Sequence, residues 1–127
     1  MLLDNDAYPC PGVGGLFALL GPAVDLAVTT APNPFGGSGM NRTHPRPFAT
    51  NLSAAGDAAA WAEFPERNLG IVVLATARPL VSRLLERFYT EFVLEIRGYA
   101  RGDFYVRGDQ TAFRAALFGM RHEVRDA

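Results

Sequence analysis

Apolar and polar positions follow regular periods in the second half of the chain and broken ones in the first. Leu69–Ala75 is a continuous apolar run that includes Ile71, Val72 and Val73. Its length and β-branching predict a buried central strand. Past Thr76, a candidate cap, Leu80, Val81, Leu84, Leu85 and Phe88 recur at the spacing of one helix face, with Arg83, Glu86 and Arg87 opposite. Pro79 falls in the first turn, where its missing N–H costs little. From Glu91 to Tyr99 the pattern alternates: Phe92, Leu94 and Ile96 point one way, and Glu91, Val93, Glu95 and Arg97 the other. Phe104 and Val106 repeat that alternation after Ala100-Arg101-Gly102, which predicts a β-hairpin. Asp109 then caps a last helix with Phe113, Ala116, Leu117 and Met120 as its core stripe. The polar tail His122–Ala127 is expected to fray.

The first half has fewer regular elements. Residues 1–12 are polar, contain Pro9, Pro11 and Gly12, and read as coil. Val13–Leu20 reads as a short buried helix stopped by Gly21 and Pro22. Val24–Thr30, apolar and β-branched with Asp25 near its start, reads as a strand. Residues 31–50 show no periodicity and hold Pro32, Pro34, Pro45, Pro47, Gly36, Gly37 and Gly39. A loop this long is unusual in a compact domain and typically carries function or is disordered. Leu52–Phe64 reads as a helix, with Ser53 as N-cap, Ala54, Ala58, Trp61 and Ala62 on one face, and Pro65 ending it.

The expected fold is α+β: one domain over 1–127 with a mixed sheet and helices mainly on one face. Residues 69–120, read as strand, helix, strand, strand, helix, form a ferredoxin-like (split βαβ) portion without its final strand. Val24–Thr30 or a partner chain would fill the vacant edge. The sheet face without helices would meet solvent, a ligand or a second copy.

Composition removes several chemistries. Of 127 residues, twelve are basic and thirteen acidic, and all twelve bases are arginine. With no lysine, Schiff-base chemistry, pyridoxal phosphate attachment and a Walker P-loop are excluded. Abundant Ala and Gly with scarce Ile make codon bias the simple explanation. The lone Cys10 allows no intrachain disulfide and no cysteine-rich zinc site. Cys10, His44 and His122 have no recognisable metal-ligand spacing, so no metal and no cofactor is expected. A net charge of −1 offers no electrostatic case for nucleic acid or an anionic membrane. No apolar run approaches a membrane span of about 18 residues. Val13–Leu20 is preceded by Asp4 and Asp6 rather than by bases, unlike a secretion signal. The expected location is cytoplasmic.

Three segments carry candidate chemistry. Gly12-Val13-Gly14-Gly15 could hold phosphate, but Phe17 stands where a dinucleotide fingerprint needs glycine and no strand precedes it, which favours a plain turn. Arg101-Gly102-Asp103-Phe104-Tyr105-Val106 partly echoes an RNA-binding strand pattern, but Asp103 puts a negative charge where a stacking aromatic belongs. The loop 35–46 is richer. Ser38, Asn41, Arg42, Thr43, His44 and Arg46 offer hydroxyl, amide, imidazole and guanidinium groups within nine residues, a set suited to a phosphate or carboxylate. His44 is a candidate general base, with Asp25 or Asp57 as the carboxylate to orient it. His122 reads as a surface residue and Cys10 as an ordinary thiol.

The reading that follows is a small domain acting by ligand binding or homo-oligomeric assembly rather than catalysis. Its main alternative is a small enzyme or anion-binding module built on Arg42, His44 and Arg46.

Overall fold

The structure is a computed structural model that describes residues 2–3, 13–30, 56–65, 67–100 and 109–125. Its strands are β1 (Leu2–Leu3), β2 (Leu26–Thr30) and β3 (Arg67–Leu74); its helices are α1 (Asp57–Glu63), α2 (Pro79–Ala100) and α3 (Asp109–Gly119). A 3₁₀ helix, Val13–Leu19, precedes β2.

The apolar run around Ile71–Val73 is central, as its composition predicts: the sheet order is β1-β3-β2. Both pairings are antiparallel, so the described sheet is not the expected mixed one. Leu2 and Leu3 pair with Val72 and Ile71, which corrects the expectation of coil there. The β2–β3 register runs from Leu26↔Leu74 to Val28↔Val72, then jumps to Thr29↔Asn68. That irregularity takes up the extra residues of β3 and lets its long apolar run face a shorter partner.

Leu26, Val28, Val72 and Leu74 point to one face and pack with Val81 and Leu84 of α2 and with Phe113, Ala116 and Leu117 of α3. The stripes predicted for these two helices are therefore the ones that build the core. Phe88 and Phe113 meet edge to face at 5.4 Å between ring centres. Ala27 and Val73 on the opposite face are also buried. The sheet is thus covered on both sides at these positions, and the expected bare face is not found there.

The largest departure lies at residues 91–99. Glu91–Tyr99 is not a strand; α2 runs unbroken from Pro79 to Ala100. No glycine or proline interrupts 80–97, and extending an existing helix is far cheaper than nucleating a new element. Thr90, the β-branched residue at the junction, donates its Oγ1 hydrogen bond to the Glu86 carbonyl at 2.9 Å, within the helix. The expected partner strand, Phe104–Val106, lies outside the described residues. With helix in place of the strand at 91–99, the order after β3 among the described residues is helix then helix, and a ferredoxin-like split βαβ portion over 69–120 is not confirmed.

Smaller differences follow from packing. Val13–Leu19 is helical but not buried: Phe17 and Leu19 are each half exposed. Space is open around Gly14 and Gly15, so no close backbone approach demands glycine there. The described part of α1 begins after Gly56, whose φ of 89° is left-handed, a conformation glycine adopts without strain. Ser53, the expected cap, lies outside the described residues, and Ala58 faces solvent. Thr76 lies in the turn before α2, which starts at Pro79. Asp109 is the first residue of α3 rather than the cap before it, and its carboxylate accepts a hydrogen bond from the adjacent Gln110 N–H at 2.8 Å.

Candidate functional site

The densest polar cluster among the described residues centres on Asp25, at the entry to β2. Its side chain is 2% exposed. Arg78, in the turn before α2, donates to Oδ1 at 2.6 Å, and its other nitrogen donates to the Pro22 carbonyl at 2.7 Å. Arg125 donates to Oδ2 from its backbone N–H at 2.9 Å and from Nε at 3.2 Å. The main chain joins in: Asp25 N–H donates to the Arg125 carbonyl at 2.7 Å, and Ala75 N–H donates to the Asp25 carbonyl at 2.9 Å. One residue thus ties together the turn before β2, the end of β3, the approach to α2 and the chain after α3. The tail through Arg125 is pinned rather than frayed.

Burial by itself raises the Asp25 pKa. The hydrogen bonds from Arg78 and Arg125, with the Arg125 charge, outweigh burial and lower it from 3.8 to about 2. A carboxylate held that low is a poor general base at neutral pH. Its four acceptor bonds make it a cross-tie.

Three more arginines have structural tasks. Arg114, on α3, is 2% exposed. Its Nη2 donates to the Trp61 carbonyl at 2.6 Å and its Nε to the Phe64 carbonyl at 2.8 Å. Those carbonyls lie at the C-terminal end of α1, where helix partial charge is negative and intrahelical donors run out. The same guanidinium lies 4.1 Å over the Trp61 ring. Arg121 pairs with Asp57 at 2.8 Å and covers the Phe118 ring at 4.1 Å. Arg83 pairs with Glu123 at 2.8 Å at the surface. The partners of these arginines and of Arg125 lie as far as 100 residues away along the chain.

Phe64, Arg67, Leu117, Arg121 and Val124 line a shallow cleft of about 60 Å³. That is room for a water or a small ion, not for a drug-sized ligand. Among the described residues, no group of three or more His, Cys, Asp or Glu could hold a metal ion. No described helix is long and apolar enough to cross a membrane.

The candidate ligand-binding residues Ser38, Asn41, Arg42, Thr43, His44 and Arg46 lie outside the described residues, as does Cys10. The two carboxylates considered as partners for His44 are both engaged: Asp25 by Arg78 and Arg125, and Asp57 by Arg121. His122 is exposed in the turn after α3.

No protein-family model, curated protein or solved structure matches this chain. Its function must be read from its own surface. There, α2 presents the feature that sequence reasoning missed. Tyr89 is 68% exposed and Ile96 53%, while Val93 between them is half buried. Read as a strand, Ile96 belonged with Phe92 and Leu94. On a helix it falls instead above Val93 and Tyr89, at the i, i+4, i+7 spacing of one stripe.

Proposed function

We propose that the chain works by binding, and first by binding a second copy of itself, as a small cytoplasmic protein rather than as an enzyme. One observation carries the reading: the outward stripe Tyr89, Val93 and Ile96 on a helix whose other side already builds the core. A helix with apolar residues on two sides has a second packing surface to cover. Phe17 and Leu19 are also exposed, but they lie on a short 3₁₀ helix with glycines and carry less weight. The expected route of assembly through a bare sheet face gains no support, because Ala27 and Val73 are buried.

Light scattering or native mass spectrometry on the full chain from about 1 to 200 µM tests the reading. A dimer fraction that grows with concentration is expected, and Ile96→Glu should abolish it. A strict monomer across the range overturns it.

A second reading keeps the loop 35–46 as a module for phosphate- or carboxylate-bearing ligands, or as the centre of a small enzyme, through Arg42, His44 and Arg46. It draws support from Arg78, Arg114, Arg121 and Arg125, which all have structural partners. Arg42 and Arg46 remain the two arginines set apart from acids in the sequence. A thermal-shift screen against phosphates, nucleotides and carboxylates is the test. Stabilisation by one class, lost in Arg42→Ala and His44→Ala, supports it; no shift with any class rejects it.

A further inference from the structure

We infer that residues 121–125 form a strap that closes the cleft beside Phe64 and the start of β2, and that opens as one unit while the core stays folded. The strap belongs to a single chain and stands apart from the self-association proposed above.

It begins where α3 ends. The N–H groups of Glu123 and Val124 both donate to the Met120 carbonyl, at 2.8 and 3.0 Å, which turns the chain back over the body of the fold. Within five residues it then reaches three separate elements. Arg121 pairs with Asp57 of α1 at 2.8 Å, Glu123 with Arg83 of α2 at 2.8 Å, and Arg125 with Asp25 at the entry to β2 at 3.2 Å. Val124, between the last two, packs against the core. The Arg125 carbonyl accepts from the N–H groups of Asp25 and Leu26 at 2.7 and 3.4 Å, so main chain as well as side chain lies against the start of β2.

Two features separate this hold from the one that keeps the core together. It is mostly ionic: three charged pairs and one half-buried valine, against a core of fully buried Leu26, Leu84 and Ala116. The side chains of Arg83, Glu123 and Arg125 are each half exposed or more, where water competes for a pair and its contribution is small. The ties are also consecutive. Val124 sits one residue from Arg125 and one from Glu123, so none of the three leaves its seat without drawing on the next. A segment with few apolar contacts and solvent-reachable hydrogen bonds opens at less cost than the fold as a whole.

Opening changes the surface in two ways. Arg121 and Val124 line the cleft together with Phe64, Arg67 and Leu117, so the cleft loses a wall, and Leu117, buried when the strap is closed, meets solvent. The N–H groups of Asp25 and Leu26 lose their acceptor at the start of β2, which is an outer strand of the described sheet. The closed strap therefore keeps an apolar recess and the donors of a strand edge covered. Arg78 still pairs with Asp25 when the strap lifts, which holds the buried carboxylate in the open form.

Amide hydrogen exchange of the full chain, read residue by residue by NMR and corrected for intrinsic rates, is the test. The N–H groups of Asp25, Glu123, Val124 and Arg125 should exchange through one common opening, about tenfold or more less protected than those of Leu84 and Ala116. Arg125→Ala removes an exposed side chain and keeps the main-chain bonds; it should lower the protection of all four by one shared factor, about five- to tenfold, and leave Leu84 and Ala116 unchanged. Val124→Ala, which removes no charge, should act on the same four amides in the same way. A loss of protection confined to the substituted position, or no loss in either variant, overturns the single unit. An equal loss at Leu84 and Ala116 overturns the separate opening, because the strap would then part only with the whole fold.

Discussion

Asp25 and Arg125 hold each other through main chain and side chain together, across 100 residues of sequence. Each backbone N–H donates to the other residue, to the carbonyl of Arg125 in one direction and to the carboxylate of Asp25 in the other, while Arg125 Nε adds a charged bond. Arg78 completes the cluster from a third element. Because Asp25 is almost fully buried and both arginines reach solvent, the carboxylate supplies the part of the cluster that cannot be replaced by water.

This gives a signed pH dependence. The Asp25 pKa is lowered from 3.8 to about 2 on folding, so near pH 3 the folded protein binds fewer protons than the unfolded chain. The resulting stabilisation, on the order of 2 kcal/mol, is complete above about pH 4 and is lost as pH falls through about 2. Urea unfolding of wild type and Asp25→Asn from pH 7 to pH 2 checks it. The variant should lose about 2 to 3 kcal/mol at pH 7 and show a flatter acid limb. Parallel acid limbs in the two proteins would refute the assignment.

Arg114 offers an optical test, because the chain has one tryptophan. Arg114→Lys keeps the charge but loses the planar fork that binds the Trp61 and Phe64 carbonyls and stacks on the indole. A loss of about 2 kcal/mol is expected, together with a change in Trp61 emission in the folded state. Unchanged emission and stability would show that the cap at the end of α1 does not depend on the guanidinium.

Gly119 and Arg87 should show coupled substitutions. A Cβ on Gly119 would lie 2.5 Å from Arg87 Nε and 2.7 Å from Cζ. In an open setting, Gly→Ala near a helix end stabilises by up to about 1 kcal/mol. Here Gly119→Ala should be neutral or destabilising by about 1 kcal/mol, because Arg87 must leave its half-buried position. In an Arg87→Ala background the same change should turn stabilising. A double-mutant cycle by urea denaturation reads the coupling, and purely additive effects would contradict the contact.

The single long helix α2 predicts a strong response to Val93→Pro. The substitution removes one helical N–H and clashes with the carbonyl of Tyr89, at a cost of about 3 kcal/mol or more, and should lower far-UV helical ellipticity. If 91–99 were an edge strand, helical ellipticity would not fall.

Elements whose signal is local are legible along the chain. The apolar run at 69–75 could only be a buried strand or a buried helix, and its β-branching decided between them. The stripes Val81–Leu84–Phe88 and Phe113–Ala116–Leu117 mark faces about two turns and one turn long, and those faces form the core. Pro79 and Asp109 mark helix starts through groups of their own residue. At 91–99 two periods overlapped: apolar residues two apart suit a strand, while Tyr89, Val93 and Ile96 suit a helix. What decided was continuity with residues 79–90, since an existing helix extends by one hydrogen bond per residue while a strand needs a partner elsewhere in the chain. The partners of Asp25, Arg114 and Arg121 were out of reach for a related reason. An ion pair or a capped carbonyl 50 to 100 residues away leaves no period in the sequence. It exists only once the core has brought the end of β3, the end of α1 and the turn after α3 together, where a buried carboxylate or carbonyl must find a donor.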